Sequence, residues 1–111
     1  FHSDYLIKKI CKMTIIQEIE EKLMAATKPV AKLYYQGEAS KTIFIGFKKG
    51  MTLDQHKTNI PARLMVLKGQ VTYKQGDHVN VLRLYESQDI PVDIMHEVYA
   101  DEDSLCMLTK G

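Results

Sequence analysis

The chain has 111 residues, 45% apolar and 26% charged, with a formal net charge of +1. That is one domain's length, with enough apolar residues to close a single core. Its lysines, among them Lys8, Lys9, Lys12, Lys22, Lys28 and Lys32, are spread out, so no basic cluster offers a grip on nucleic acid or an anionic membrane.

The first element is helical. Leu6, Ile7, Ile10, Cys11, Ile15, Ile19, Leu23 and Met24 recur at three- and four-residue steps, the spacing of one helix face, and Glu18, Glu20, Glu21 and Lys22 fall mostly elsewhere. Ser3 or Asp4 is placed to cap the start, and Pro29 forbids continuation. Thr14 and the β-branched pair Ile15-Ile16 leave room for a break near Met13, which would give two short helices. No apolar run approaches the roughly 18 residues that span a bilayer. Lys8, Lys9 and Lys12 also interrupt the apolar stretch that a signal peptide would need. Cys11 and Cys106 have no CxxC spacing, so reduced thiols in a cytoplasmic protein are expected.

From Pro29 the pattern changes to short β-type runs: "VAKLYYQ", "KTIFIGF", "RLMVLK", "QVTYKQ", "HVNVLRL", "QDIPVDI", "HEVYA" and "SLCMLTK". Turn residues divide them at Gly37-Glu38, Lys49-Gly50, Gly69, Gly76-Asp77 and Asp101-Glu102-Asp103. Gly76-Asp77 reads as a tight hairpin, because glycine supplies positive φ there. About eight short strands without intervening helices predict an all-β antiparallel sandwich or barrel. The expected organisation is a helical segment over 1–28 and one β domain over 29–111, with no internal repeat.

Two segments of the β domain resemble those of the cupin superfamily, the small RmlC-like barrels. In that family the first segment runs glycine, five residues, His-x-His, three or four residues, glutamate, six residues, glycine. Here Gly50 is followed after five residues by His56, and "RLMVLKGQVTY" matches the close, with Gly69 in the turn. The second segment sets a proline about five residues before a histidine. "DIPVDIMHEVYADEDSLCMLT" has Pro91 and His96 in those places. The resemblance covers roughly Lys28 to the C-terminus and implies an antiparallel cupin-type β-barrel, a jelly roll, behind a short N-terminal helical segment. Where the family has its second histidine this chain has Thr58, and where it has glutamate, Ala62. The glycine of the second segment is replaced by Asp93, and the Gly-Asp pair that often opens it reads Tyr85-Glu86.

The resemblance makes His56 and His96 converge inside the barrel, leaving two of the four usual metal ligands. Residues two apart on a strand share a face, so Asp54, His56 and Thr58 are expected to point the same way, and Asp54 is the candidate carboxylate for a site made with His56 and His96. A divalent iron, manganese, zinc or nickel ion is weighed against none tightly bound, and too few donors favours none. The expected ligand pocket comprises His56, His96, Thr58, Leu64, Val66, Tyr73 and Met95, with Tyr99 a further wall residue. Tyr34 and Tyr35 should lie on opposite faces of one strand, His2 and His78 should be exposed, and Cys106 should be an inert buried thiol. The preferred reading is a small-molecule binding or sensing module of unnamed ligand. A metal-dependent dioxygenase or isomerase and a structural protein with a vestigial pocket stay open beside it. No nucleic-acid or membrane partner is expected, and a homodimer is.

Overall fold

The computed structural model describes residues 13–111. The expected helix positions Leu6, Ile7, Ile10 and Cys11, the cap at Ser3 or Asp4, and exposed His2 lie outside the described residues.

Among the described residues one helix, α1 (Ile15–Leu23), starts at Thr14, whose hydroxyl accepts from the Gln17 amide while the Gln17 side chain accepts from the Thr14 amide. This reciprocal box satisfies two backbone donors that a helix start leaves unpaired. Ile19 and Leu23 are buried on one face, against Phe44 and Leu105. Met24, expected on the same face, instead forms the C-cap and is 76% exposed, because the helix ends one residue before it. Beneath α1 lies Gly46, where a Cβ would run into the Ile19 side chain, so the close approach of helix to sheet requires glycine.

Nine strands follow: β1 (Val30–Gln36), β2 (Lys41–Phe47), β3 (Thr52–His56), β4 (Ala62–Lys68), β5 (Val71–Gln75), β6 (His78–Leu82), β7 (Ser87–Ile90), β8 (His96–Ala100) and β9 (Ser104–Lys110). They form two sheets, β1-β2-β9-β4-β7 and β3-β8-β5-β6, every pair antiparallel. The count exceeds the eight apolar runs because β3, "TLDQH", has a single aliphatic residue, Leu53. Two runs are also shorter than expected. "HVNVLRL" stops at Leu82, where Arg83 and Glu86 close a turn, and "QDIPVDI" stops at Ile90, because Pro91 has no N–H to continue a ladder. The β5–β6 hairpin turns at Gly76, with φ 57°.

The core lies between the sheets, built from inward positions such as Phe47, Leu64, Val66, Val71, Tyr73 and Val98. Cys106 is fully buried there, and burial pushes its thiol pKa up to about 12, so the sulfur stays protonated and inert. On edge strand β1 a register shift between Leu33 and Tyr35 breaks the alternation. Tyr34 and Tyr35 are consequently both 60% exposed instead of facing opposite ways, and Tyr34 covers Phe44 with ring centroids 4.8 Å apart. No helix among the described residues is long and apolar enough to cross a membrane.

Candidate functional site

Strand β3 pairs β8 with Thr52 opposite Tyr99 and Leu53 opposite Val98, then His56 opposite His96. One extra residue on β3 between those pairs makes a bulge, and a bulge re-aims the side chains beyond it. The shared face expected of Asp54, His56 and Thr58 is therefore broken. Asp54 is exposed, and what it gives His56 is its backbone carbonyl, which accepts from Nδ1 at 2.8 Å. Thr58 lies past the strand end and is buried. Its hydroxyl donates to the Ile60 carbonyl at 2.8 Å and accepts from the Ile60 amide at 3.3 Å, so it is spent on its own turn.

The two imidazoles meet. Their centroids are 4.1 Å apart with planes at 59°, and the Tyr73 ring stacks on His96 at 5.8 Å. His96 is 3% exposed, and its Nδ1 donates to the Ile94 carbonyl at 3.2 Å. A carbonyl can only accept, so both rings, when neutral, carry the proton on Nδ1 and keep a lone pair on Nε2. Among the described residues each ring's one hydrogen bond is through Nδ1, and neither Nε2 makes one. Burial lowers the pKa of His96, and the nearby charges of His56 and Lys110 push the same way against the Ile94 carbonyl. Burial raises the Tyr73 phenol, whose hydroxyl donates to Gln75 Oε1 at 2.8 Å.

Leu64 and Val66 are buried in the same core as Tyr73. Met95 and Tyr99 do not line it: Met95 is 41% exposed in the loop before β8, and Tyr99 is 39% exposed, facing outward between Val98 and Ala100. His78 is exposed at the start of β6. A cavity of about 910 Å³ opens beside Ala62, Gln75, His78, Gln88 and Ile90, and neither imidazole lines it. Gln88 is held there by the Asn80 amide at 2.8 Å. Gln75, Gln88 and Lys110 were not singled out from the sequence, although strand alternation was the signal: Gln75 is two residues beyond Tyr73, and Lys110 two beyond Leu108.

Neither a protein-family model nor a curated protein matches the sequence. Solved structures do. An RmlC-like cupin from Desulfovibrio desulfuricans is 26% identical, with a TM-score of 0.70 over 76% of this chain and 82% of that one. The fold is that of the cupin superfamily. A cupin superfamily protein from Desulfitobacterium hafniense shares it at 11% identity (TM-score 0.71, 76% of this chain and 77% of that one). So does KdgF from Halomonas sp. at 18% identity (TM-score 0.69, 78% and 82%).

In this chain the two positions that depart from the family's glycines both have left-handed backbone. Asp93 sits at φ 60°, its amide donating to the Thr58 carbonyl at 2.8 Å, and Tyr85 sits at φ 65°. Aspartate tolerates that region, whereas a tyrosine is strained in it. The metal that the fold family implies fits poorly. Among the described residues no three His, Cys, Asp or Glu side chains are grouped to hold an ion. Two imidazoles, an engaged threonine hydroxyl and Ala62 fall short of the three or four donors that a tight divalent site uses.

Proposed function

We propose that this cupin is a binding or sensing module for a small polar or anionic molecule, anchored in the barrel by His56 and His96. The observation that carries the reading is the paired imidazoles, each fixed through Nδ1 to a backbone carbonyl and each left with an unengaged Nε2. Fixed polar groups beside an apolar wall suit a small ligand. The shortage of further donors argues against using those nitrogens for a tightly held cation. The reading extends to a cytoplasmic homodimer, for which exposed Val79, Val81 and Tyr99 on the outer face of the β3-β8-β5-β6 sheet supply apolar surface.

Elemental analysis of protein purified without affinity tag or chelator, followed by thermal unfolding against a panel of small polar molecules, tests this. The expected result is metal well below one ion per chain and a melting temperature raised by one chemical class, since a ligand of the folded state stabilises it. That rise should vanish in His56→Ala. A stoichiometric iron, manganese, zinc or nickel ion lost in His56→Ala would replace this reading with the metal-dependent enzyme. No metal and no ligand response, in a robust dimer, would leave the structural protein.

A further inference from the structure

Three residues stand in one row across three strands. Lys110 of β9 is directly opposite Ala62 of β4 on one side and Lys41 of β2 on the other. Directly opposed residues on antiparallel strands send their side chains to the same face. Ala62 belongs to the barrel core, so both lysines are on the inner face. The run Cys106, Leu108, Lys110 along β9 agrees, since the first two are core residues. Both lysines are half-buried.

Among the described residues neither lysine of the row forms a salt bridge: those present join Lys32 to Glu18, Arg63 to Asp89 and Lys68 to Glu20. Strand pairing puts no Asp or Glu on the inner face of the nine strands. Asp89 is opposite Arg63 on the outside, Glu97 is opposite Lys74, and Asp54 is exposed after the Leu53 pair. Glu38, on the β1–β2 turn, borders a cavity of about 210 Å³ with Lys41 and Lys110, yet it is exposed and makes no salt bridge. Like charges directly opposite in a ladder destabilise it, and an anion between them would remove that cost. The charge of Lys110 also reaches His96, where it opposes protonation.

We infer that the barrel mouth is an anion site, in which Lys41 and Lys110 hold a carboxylate or phosphate group of the ligand in the cavity they share beside Ser40 and Ile60. The family's first segment places glutamate where this chain has Ala62. Here the carboxylate is gone and an ammonium stands across from its position, so the charge of the site is reversed. The inference rests on the barrel being a binding module and adds the ligand's charge.

Thermal unfolding in inorganic phosphate and in malonate, each against sodium chloride at equal ionic strength, tests it on the native sequence, Lys110→Met, Lys41→Met and His56→Ala. Phosphate or malonate should raise the melting temperature saturably beyond chloride, and which of them does so identifies the anionic group. Lys110→Met should weaken the apparent affinity about tenfold or more, as expected when one partner of a charge pair is removed. Without added anion, Lys110→Met should melt higher than the native sequence, because it relieves the repulsion. Equal responses to phosphate, malonate and chloride, or an anion response unchanged in Lys110→Met, overturn the inference. A neutral molecule whose effect is lost in His56→Ala but kept in Lys110→Met would overturn it while leaving the binding-module reading intact. Anion binding that survives His56→Ala and fails in Lys110→Met would support the anion site and overturn the imidazole anchors.

Discussion

His56 and His96 face each other across the β3–β8 ladder with ring centroids 4.1 Å apart, although they are 40 residues apart in the chain (96 − 56). The β3 bulge sets this pair, and each Nδ1 is tied to a carbonyl two residues back in its own segment. The rings are therefore held from the backbone through Nδ1, with their Nε2 atoms making no hydrogen bond among the described residues.

Acid should weaken the fold through His96. Its folded-state pKa lies below the ordinary value, so above about pH 6.5 both folded and unfolded chains hold it neutral and it has no effect on stability. As pH falls below that, the unfolded chain takes the proton first, and stability is lost progressively until the folded ring also titrates. One such group contributes at most about 1.4 kcal/mol per pH unit. Urea midpoints followed downward from about pH 7.5 should show this loss, and His96→Gln should make the curve shallower. An unchanged curve in His96→Gln would remove His96 from the account.

Leu64 is 1% exposed and sits on β4 in the centre of the core. Leu64→Ala should cost about 2–5 kcal/mol, the sum of lost transfer energy and the cavity left behind. Chemical denaturation gives the value directly, and a loss under about 1 kcal/mol would mean the core around β4 is looser than its burial indicates.

Tyr85 holds a left-handed backbone at φ 65° with its ring 67% exposed, so the strain gains no burial in return. Tyr85→Gly should stabilise the protein by about 0.5–1 kcal/mol, after the roughly 1–2 kcal/mol of strain is offset by the greater freedom of glycine in the unfolded chain. Destabilisation instead would show that the tyrosine ring makes a contact worth more than its backbone strain.

In a Cys11→Ser protein, Cys106 should resist a thiol reagent at about pH 8 until the fold opens, because its thiol pKa is pushed up to about 12. Labelling should then track denaturant unfolding. Fast labelling of folded protein would contradict its burial.

Much of the fold was legible in the chain. Strand alternation and the Gly76 turn pointed to an antiparallel sandwich or barrel, because they act over neighbouring residues, and the resemblance carried by Gly50, His56, Pro91 and His96 implied the cupin type. The site was legible only in part. The resemblance brought His56 and His96 into view, but regular alternation misplaced Asp54 and Thr58, since a bulge is set by pairing with β8 and not by the residues of β3 alone. Met95 was misplaced for a related reason, because β8 begins one residue after it and its loop turns it to solvent.

Local patterning marked eight of the nine strands and their turns, and one apolar face on most of them, but missed β3 with its single aliphatic residue. Tertiary structure decided which strand lies beside which, and so which charges meet. Lys41 and Lys110 are 69 residues apart (110 − 41) and Ala62 belongs to neither's local pattern, yet strand register sets the three in one row. Local propensities act over a few residues, whereas the field inside a barrel depends on long-range pairing that closes only when the whole core does.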